Sequence, residues 1–187
     1  MNTLITYLNT ICPLPENLQD HLQQVLKTGR VDKKKCLVQT GVLCRNIYFI
    51  RSGIIRHFHT DTGYEITSCF MKENDIVFSP ESFHKQLPSF ESIEAIEPTA
   101  YYYMSYDDFL YTLGHFPEFG TISWKLTGHY QVQGSLREQL LRIPFTADRF
   151  KHMRENYGDI VTRVPNYQLA SYLNISAEYL SRLKRNK

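Results

Sequence analysis

VPNYQLASYLNISAEYLSRLKRNK, running from Val164 to Lys187, is the stretch on which the reading of this chain turns. Leu169 and Leu173, with Ala170 between them, give one apolar face to a short first helix; Ile175, Leu180 and Leu183 give a matching face to a second. The joining residues are Asn174-Ile175-Ser176. A tight turn between crossed helices needs a residue that tolerates positive φ, and Asn substitutes for Gly there. Ser176 is then the N-cap of the second helix, with the acidic Glu178 near the positive end of its dipole. Ala170 is small where the two backbones approach. The pattern predicts a helix-turn-helix, although paired amphipathic helices also occur in domains that never touch DNA. Arg182-Leu183-Lys184-Arg185-Asn186-Lys187 adds four bases and no acid, a stripe suited to phosphate oxygens. A solvated basic tail without function is the competing reading.

Upstream, Ile143-Pro144-Phe145 breaks the helical pattern and makes a hinge, after which Thr146 is expected to cap a helix from Ala147 to about Tyr157. Phe150, Met153 and Tyr157 give that helix an apolar stripe to support the terminal motif, and Gly158 is expected to stop it. Before the hinge lies a long helix from about Glu118 to Arg142. In it Phe119, Ile122, Leu126, His129, Gln133, Leu136, Leu140 and then Ile143 recur at steps of three and four, the spacing of a heptad seam. The seam predicts a parallel homodimer, with His129 and Gln133 fixing register; packing of the same stripe on its own subunit is the alternative. Gly128 and Gly134 weaken this helix by about 1 kcal/mol each relative to Ala.

Between Val31 and Tyr106 the period becomes strand-like. Runs rich in β-branched and aromatic residues at Ile47–Ile50, Ile54–Phe58, Glu65–Phe70, Ile76–Phe78, Ser92–Ile96 and Ala100–Met104 are separated by Gly, Asn, Asp and Pro. They predict a small β-sandwich or roll, with Asp61-Thr62-Gly63 as a three-residue hairpin loop. Residues 1–30 read as short helices around Pro13-Leu14-Pro15. The second, from Glu16 to Leu26, buries Leu18, Leu22, Val25 and Leu26 and is expected to end at Gly29. A short helix from Tyr106 to about Leu113 follows the roll.

In 187 residues, 42% apolar and 13% aromatic content is enough to bury a real core. The net charge of +2 hides an asymmetry: from Pro144 onward there are eight Lys and Arg against four Asp and Glu, leaving thirteen against fifteen before it. The basic part is the part with the predicted helix-turn-helix. Cys12, Cys36, Cys44 and Cys69 match neither a zinc nor an iron–sulfur spacing, so free thiols in a reducing compartment are expected. The opening residues lack the basic start of a signal peptide and no apolar run is long enough to span a bilayer, which points to a soluble cytoplasmic protein with no membrane partner.

With helices, roll, long helix and helix-turn-helix in that order, the chain resembles the Crp/Fnr family of bacterial transcription regulators over nearly its whole length. The residues that carry the resemblance are Tyr48-Phe49-Ile50-Arg51-Ser52-Gly53 with Arg56, Phe145-Thr146-Ala147-Asp148-Arg149-Phe150, Leu169-Ala170-Ser171-Tyr172-Leu173 and Leu180-Ser181-Arg182. The resemblance implies an α+β fold: a β-roll (double-stranded β-helix) with flanking helices over residues 1–117, a dimerisation helix over 118–143 and a helix-turn-helix DNA-binding domain over 144–187. It implies double-stranded DNA as partner, a homodimer, and RNA polymerase as a further partner. It places Ala177, Glu178, Ser181 and Arg182 toward bases, Arg182 against guanine, and Ser176, Lys184 and Arg185 on phosphates. The sequence given ends directly after the second helix, so a C-terminal wing is not expected.

Cyclic-nucleotide sensors of that family use a Gly-Glu pair for the ribose and an Arg for the phosphate. Here the segments are Phe78-Ser79-Pro80-Glu81-Ser82-Phe83 and Pro88-Ser89-Phe90-Glu91, with Ser89 at the arginine's place. A cyclic phosphate would meet Glu81 and Glu91 without a cation, so cyclic AMP is not the expected ligand. An effector pocket is expected from Glu81, Phe83, Ser89, Phe90 and Glu91 with the Tyr101-Tyr102-Tyr103 run. It suits a neutral or apolar effector, or else the roll is filled by its own side chains. No catalytic triad, phosphate loop or cofactor motif is present, and no enzyme is expected. Two rivals stand beside the regulator. One is a cupin-like metal enzyme built on His57, His59 and Glu65, against which the spacing argues, so no metal is expected. The other is a regulator that works through protein contacts and binds DNA weakly.

Overall fold

Pro13 and Pro15 interrupt the first helical period, and two short helices result, α1 (Asn2–Ile11) and α2 (Glu16–Val25), in a computed structural model that describes residues 2–185. Pro15 occupies the N-cap of α2 with φ −65°, a position that needs no amide hydrogen. Leu4, Leu8, Leu14, Leu18 and Leu22 are buried and pack on Phe49, Tyr102 and Met104. The helix ends at Val25, and Gly29 has a different task from the expected stop. It lies in β1 (Lys27–Val31) opposite Tyr101 of β8 (Thr99–Ser105), where a Cβ would come within 2.5 Å of the Tyr101 ring. Glycine is there to admit a ring.

The roll is completed by β2 (Cys36–Val38), β3 (Asn46–Ser52), β4 (Ile55–Asp61), β5 (Tyr64–Met71), β6 (Ile76–Val77), the helix α3 (Pro80–Lys85) and β7 (Ser92–Ala95). Two antiparallel four-stranded sheets form, in the orders β1-β8-β3-β6 and β2-β7-β4-β5. Tyr48, Ile50 and Val77 of the first meet Val38, Ile55, Ile93 and Ala95 of the second in a common core. Strands β1 and β2 flank the lysine-rich Asp32 to Lys35 turn, and the sequence pattern had no alternation there to reveal them. The β4–β5 hairpin closes with Asp61 opposite Tyr64, so its loop is the two residues Thr62 and Gly63 rather than three. Both have positive φ, 47° and 85°, the twist that suits right-handed strand pairs.

Ser105 caps α4 (Tyr106–His115) by accepting from the Asp108 amide. Then follow α5 (Pro117–Arg142), α6 (Thr146–Asn156), α7 (Gly158–Arg163), α8 (Asn166–Leu173) and α9 (Ala177–Arg185). Two expectations change here. Thr146 is the first residue of α6 rather than its cap, because the Phe145 carbonyl takes the Asp148 and Arg149 amides. Gly158 does not close a helical region; it opens α7, after a single kinked residue at Tyr157 with φ −137° and ψ 40°. Among the described residues no helix is long and apolar enough to cross a membrane.

The C-terminal helices do not stand apart from the roll. Ile54, Phe70 and Ile96 of the roll share one buried core with Leu140 of α5 and with Phe150, Met153, Leu169, Leu173 and Leu180. Ser171 of α8 donates to the Glu65 carbonyl at 2.8 Å and accepts from the Thr67 amide at 3.0 Å. Arg163 forks onto Glu73 at 2.7 and 3.0 Å and reaches Glu97, while Lys72 donates to Asp159 at 2.6 Å. Each fully buried aliphatic or aromatic side chain contributes about 1.5–3 kcal/mol, against about 0–1 kcal/mol for an exposed ion pair. The shared core therefore carries the docking, and the ion pairs set its orientation.

Two outcomes follow from this packing. At Gly53, φ is +104° and an added Cβ would meet Thr99 Cα at 2.8 Å, whereas at Gly41, φ +83°, it would meet nothing. Gly41→Ala should cost about 1–2 kcal/mol in urea unfolding for the left-handed backbone alone, and Gly53→Ala a further ~1–3 kcal/mol for overpacking. The second concerns acid. The Arg163 fork, helped by the Gly53 amide, holds the Glu73 carboxyl down at about 2 from its ordinary 4.5. A depressed folded-state value contributes stability that is present above the ordinary carboxylate range and lost as pH falls toward the folded value. Exchange protection factors in α7 and α8 should fall as pH drops from about 4.5 toward 2, and Arg163→Met should weaken that dependence.

Candidate nucleic-acid interface

The joint between α8 and α9 follows from local chemistry. Asn174 has φ 53° and ψ 54°, the left-handed conformation that Asn tolerates best after Gly. The Asn174 amide donates to the Ser171 carbonyl at 3.1 Å and the Ile175 amide to the Ala170 carbonyl at 3.0 Å, the paired bonds of a Schellman ending. Ile175 and Ala170 also meet in the apolar core, the hydrophobic contact that accompanies that ending. Ser176 Oγ then accepts from the Tyr179 amide at 3.1 Å and starts α9.

The inward face of α9 is Leu180, fully buried, flanked by Ala177 and Leu183. Ser176, Glu178, Arg182 and Arg185 are exposed, and Ser181 is half-buried. The Arg182 guanidinium sits 5.4 Å over the Tyr179 ring, which steadies it without hiding it. Glu178 is held as a carboxylate, its pKa lowered by its own backbone amide and by the Ser176 hydroxyl. Lys184, expected on a phosphate, is turned inward: its Nζ donates to the Val161 carbonyl at 3.0 Å and to Asn166 Oδ1 at 2.7 Å, and burial lowers its pKa. It ties α9 to the end of α7. Half-buried Ala177 packs on the core rather than standing clear. Asn186 and Lys187, the end of the basic run, lie outside the described residues.

The expected dimer seam on α5 divides. Phe119 and Ile122 are buried beneath α1 and α2, Leu126 packs beside them, and Leu140 belongs to the core shared with the C-terminal helices. Gln133 accepts from the Tyr157 hydroxyl at 3.3 Å; His129 and Leu136 are exposed. Tyr130 and Arg137 reinforce the inward face, Tyr130 accepting from the Ile76 amide at 2.7 Å and Arg137 donating to the Thr67 carbonyl at 3.1 Å. A heptad spacing says which side of a helix is covered and not by what, and here most of the stripe is covered by its own chain. The opposite side carries Val132 and Leu136, 56 and 45% exposed.

The five residues expected at an effector pocket do not meet. Glu81 is exposed and paired with Lys85, and Phe83 is fully buried against Phe78, Tyr106 and Phe109. Phe90 lies outside, beside the His59 ring. Ser89 is buried, its hydroxyl 2.7 Å from the Glu91 carbonyl and 3.0 Å from Ser79 Oγ. Of the five only Glu91 lines a cavity, about 740 Å³ in volume, bounded by the roll, α1, α2, α4 and α5. Its carboxyl is buried 3.3 Å from Nδ1 of His57, which also lines the cavity, as does Cys69. His57 and Cys69 are partners in the β4–β5 ladder, and the two-residue step from Ile55 and Met71 was the signal in the sequence that they face inward. The metal alternative is not assembled: Glu65 pairs with Arg56, and His57 with Glu91. Among the described residues no group of three or more His, Cys, Asp or Glu is placed to hold a metal.

Neither a scan against protein-family models nor a search of curated proteins finds a match to this chain. Solved structures do match. A protein assigned to the Crp/Fnr family of transcriptional regulators from Eubacterium rectale superposes with a TM-score of 0.74 at 16% identity, over 92% of this chain and 83% of that one. FixK2 from Bradyrhizobium japonicum gives 0.72 at 14% identity over 87 and 84%, and the catabolite activator protein of Thermus thermophilus 0.58 at 18% over 94 and 84%. Antiparallel roll, long helix and terminal helices occur together in one chain across nearly the full length of each match, so the chain has the fold of the Crp/Fnr regulators.

Proposed function

We propose that this chain is a dimeric, sequence-specific DNA-binding transcription regulator whose α8 and α9 form the helix-turn-helix. The observation that carries the proposal is the two-sidedness of α9: Leu180 is fully buried, while Ser176, Glu178, Arg182 and Arg185 stand exposed on the other side. That is the arrangement of a helix whose outer face enters a major groove. Arg182 is the residue for bidentate contact with guanine, with Ser181 and Glu178 beside it, while Ser176 and Arg185 contact phosphates. In this division of labour residues 1–117 sense, 118–143 pair and 144–187 read DNA. The neighbouring Eubacterium rectale structure, named as a transcriptional regulator, supports the assignment at the level of fold.

Pairing is assigned to the outward side of α5, through Val132 and Leu136, rather than to the residues its own chain already covers. A cytoplasmic setting and contact with RNA polymerase follow from the same role. The cavity suits a cyclic nucleotide poorly, since among the described residues no Lys or Arg lines it beside Glu91. The inward turn of Lys184 leaves Arg182 and Arg185 as the exposed bases of the described part of α9, which favours a second reading in which protein contacts dominate and DNA is held weakly.

Salt separates the two. Affinity for duplex DNA should fall linearly on a log–log plot with salt, by a slope of about 0.9 per phosphate neutralised; a flat response would support the second reading. Arg182→Ala should lower affinity for the preferred sequence by about 1–3 kcal/mol in a fluorescence-anisotropy titration while changing binding to random duplex little. Val132→Glu should give monomers by light scattering with unchanged circular dichroism, whereas a persisting dimer would remove α5 from the interface.

A further inference from the structure

The cavity beneath α5 has a chemical character of its own. Its volume of about 740 Å³ falls within the range of small-molecule sites. Most of its wall is apolar, with Leu4 and Leu8 from α1, Met71 and Tyr103 from the roll and Trp124 from α5. Within it lies one buried polar pair, His57 and Glu91, 4 and 5% exposed. Glu91 lies 3.3 Å from Nδ1 of His57, and Nε2 has no hydrogen-bond partner among the described residues. In the neutral tautomer that turns Nδ1–H to the carboxylate, Nε2 offers a lone pair and lacks a donor. The charges narrow the ligand further. Among the described residues no Lys or Arg lines the cavity, so an anion would be desolvated beside Glu91 without compensation. Cys69, whose thiol is pushed up to about 12 by burial, stays neutral and adds no charge.

We propose that this cavity binds an uncharged apolar molecule bearing a hydroxyl group, whose proton is donated to Nε2 of His57. The inference deepens the sensor role assigned above to residues 1–117 and rests on it for its biological meaning. It does not rest on it for its chemistry. Because Trp124 lines the cavity and is the single tryptophan of the chain, the ligand contacts the protein's own fluorophore.

The experiment is a titration of the full chain, without DNA, following Trp124 emission. The probes are 1-decanol, decyl methyl ether, decanoate and decylammonium, each below its micelle concentration at pH 8. Decanol is expected to saturate the signal and to bind roughly five- to tenfold tighter than the ether, the worth of one donated hydrogen bond. Decanoate and decylammonium should bind at least as weakly as the ether. The double variant His57→Leu, Glu91→Leu, which removes both partners together and leaves no buried charge, should bind alcohol and ether equally. Ether matching alcohol in the native protein overturns the proposal whether or not the double variant folds, as does tighter binding of either charged probe or the absence of a saturable change. Since DNA is absent from the assay, failure here leaves the DNA-binding assignment standing. A chain that binds decanol but not DNA would refute that assignment alone.

Discussion

Phe70 and Ile96 of the roll and Leu169, Leu173 and Leu180 of the terminal helices are buried in one core, and the placement of the other parts depends on that contact. Without it α6 to α9 would have to bury a core by themselves, at a size of roughly 40 residues where few domains fold unaided. With it, α9 is fixed against a scaffold of two sheets, and its outer face is defined by what the inner face must cover. The Arg163 fork onto Glu73 and the Ser171 bonds to β5 then select one orientation of that docking. Glu73 also accepts from the Gly53 amide, so the β3–β4 turn is braced by the same carboxylate that receives the C-terminal helices.

The long helix α5 serves several structures at once. Its inward side touches α1 and α2 through Ile122, the β6 edge through Tyr130, β5 through Arg137 and the shared core through Leu140. The same helix forms part of the cavity wall through Trp124 and Tyr130 and presents Val132 outward. A change at the cavity and a change at the outward side would therefore act on one rigid element. Buried polar atoms of Thr67, Arg137 and Gln168 without partners lie where β5, α5 and α8 meet, an arrangement less fully satisfied than a permanent core. Such a seam resists separation less than the interior of either part does.

What was legible in the sequence was what local chemistry decides. Asn174 at a left-handed turn, Ser176 as a cap, Ser52-Gly53 at a strand break and the prolines before α2 each have one low-energy use, and the structure employs them so. Where a residue has two uses, the pattern misled. Gly29 has the composition of a helix stop and is a gap for the Tyr101 ring; Gly158 has it too and begins α7. The seam on α5 is a different case. Its period marks a covered face, but only tertiary structure says that α1, α2 and β5 do most of the covering. The cavity was the least legible feature, because His57 and Glu91 come from separate strands and meet only once the roll has closed. Lys184 counted as surface charge by composition, yet it bonds the end of α7.

In the proposed function a pair of α9 helices, carried by a dimer of this fold, reads a specific duplex sequence. Repeated selection of bound sequences from a random duplex library by the purified full chain tests it most directly. The account predicts enrichment of an inverted repeat whose half-sites are centred about 10 base pairs apart, one turn of the duplex, on one face. A library that stays random after selection, or converges on a single asymmetric element, would contradict it.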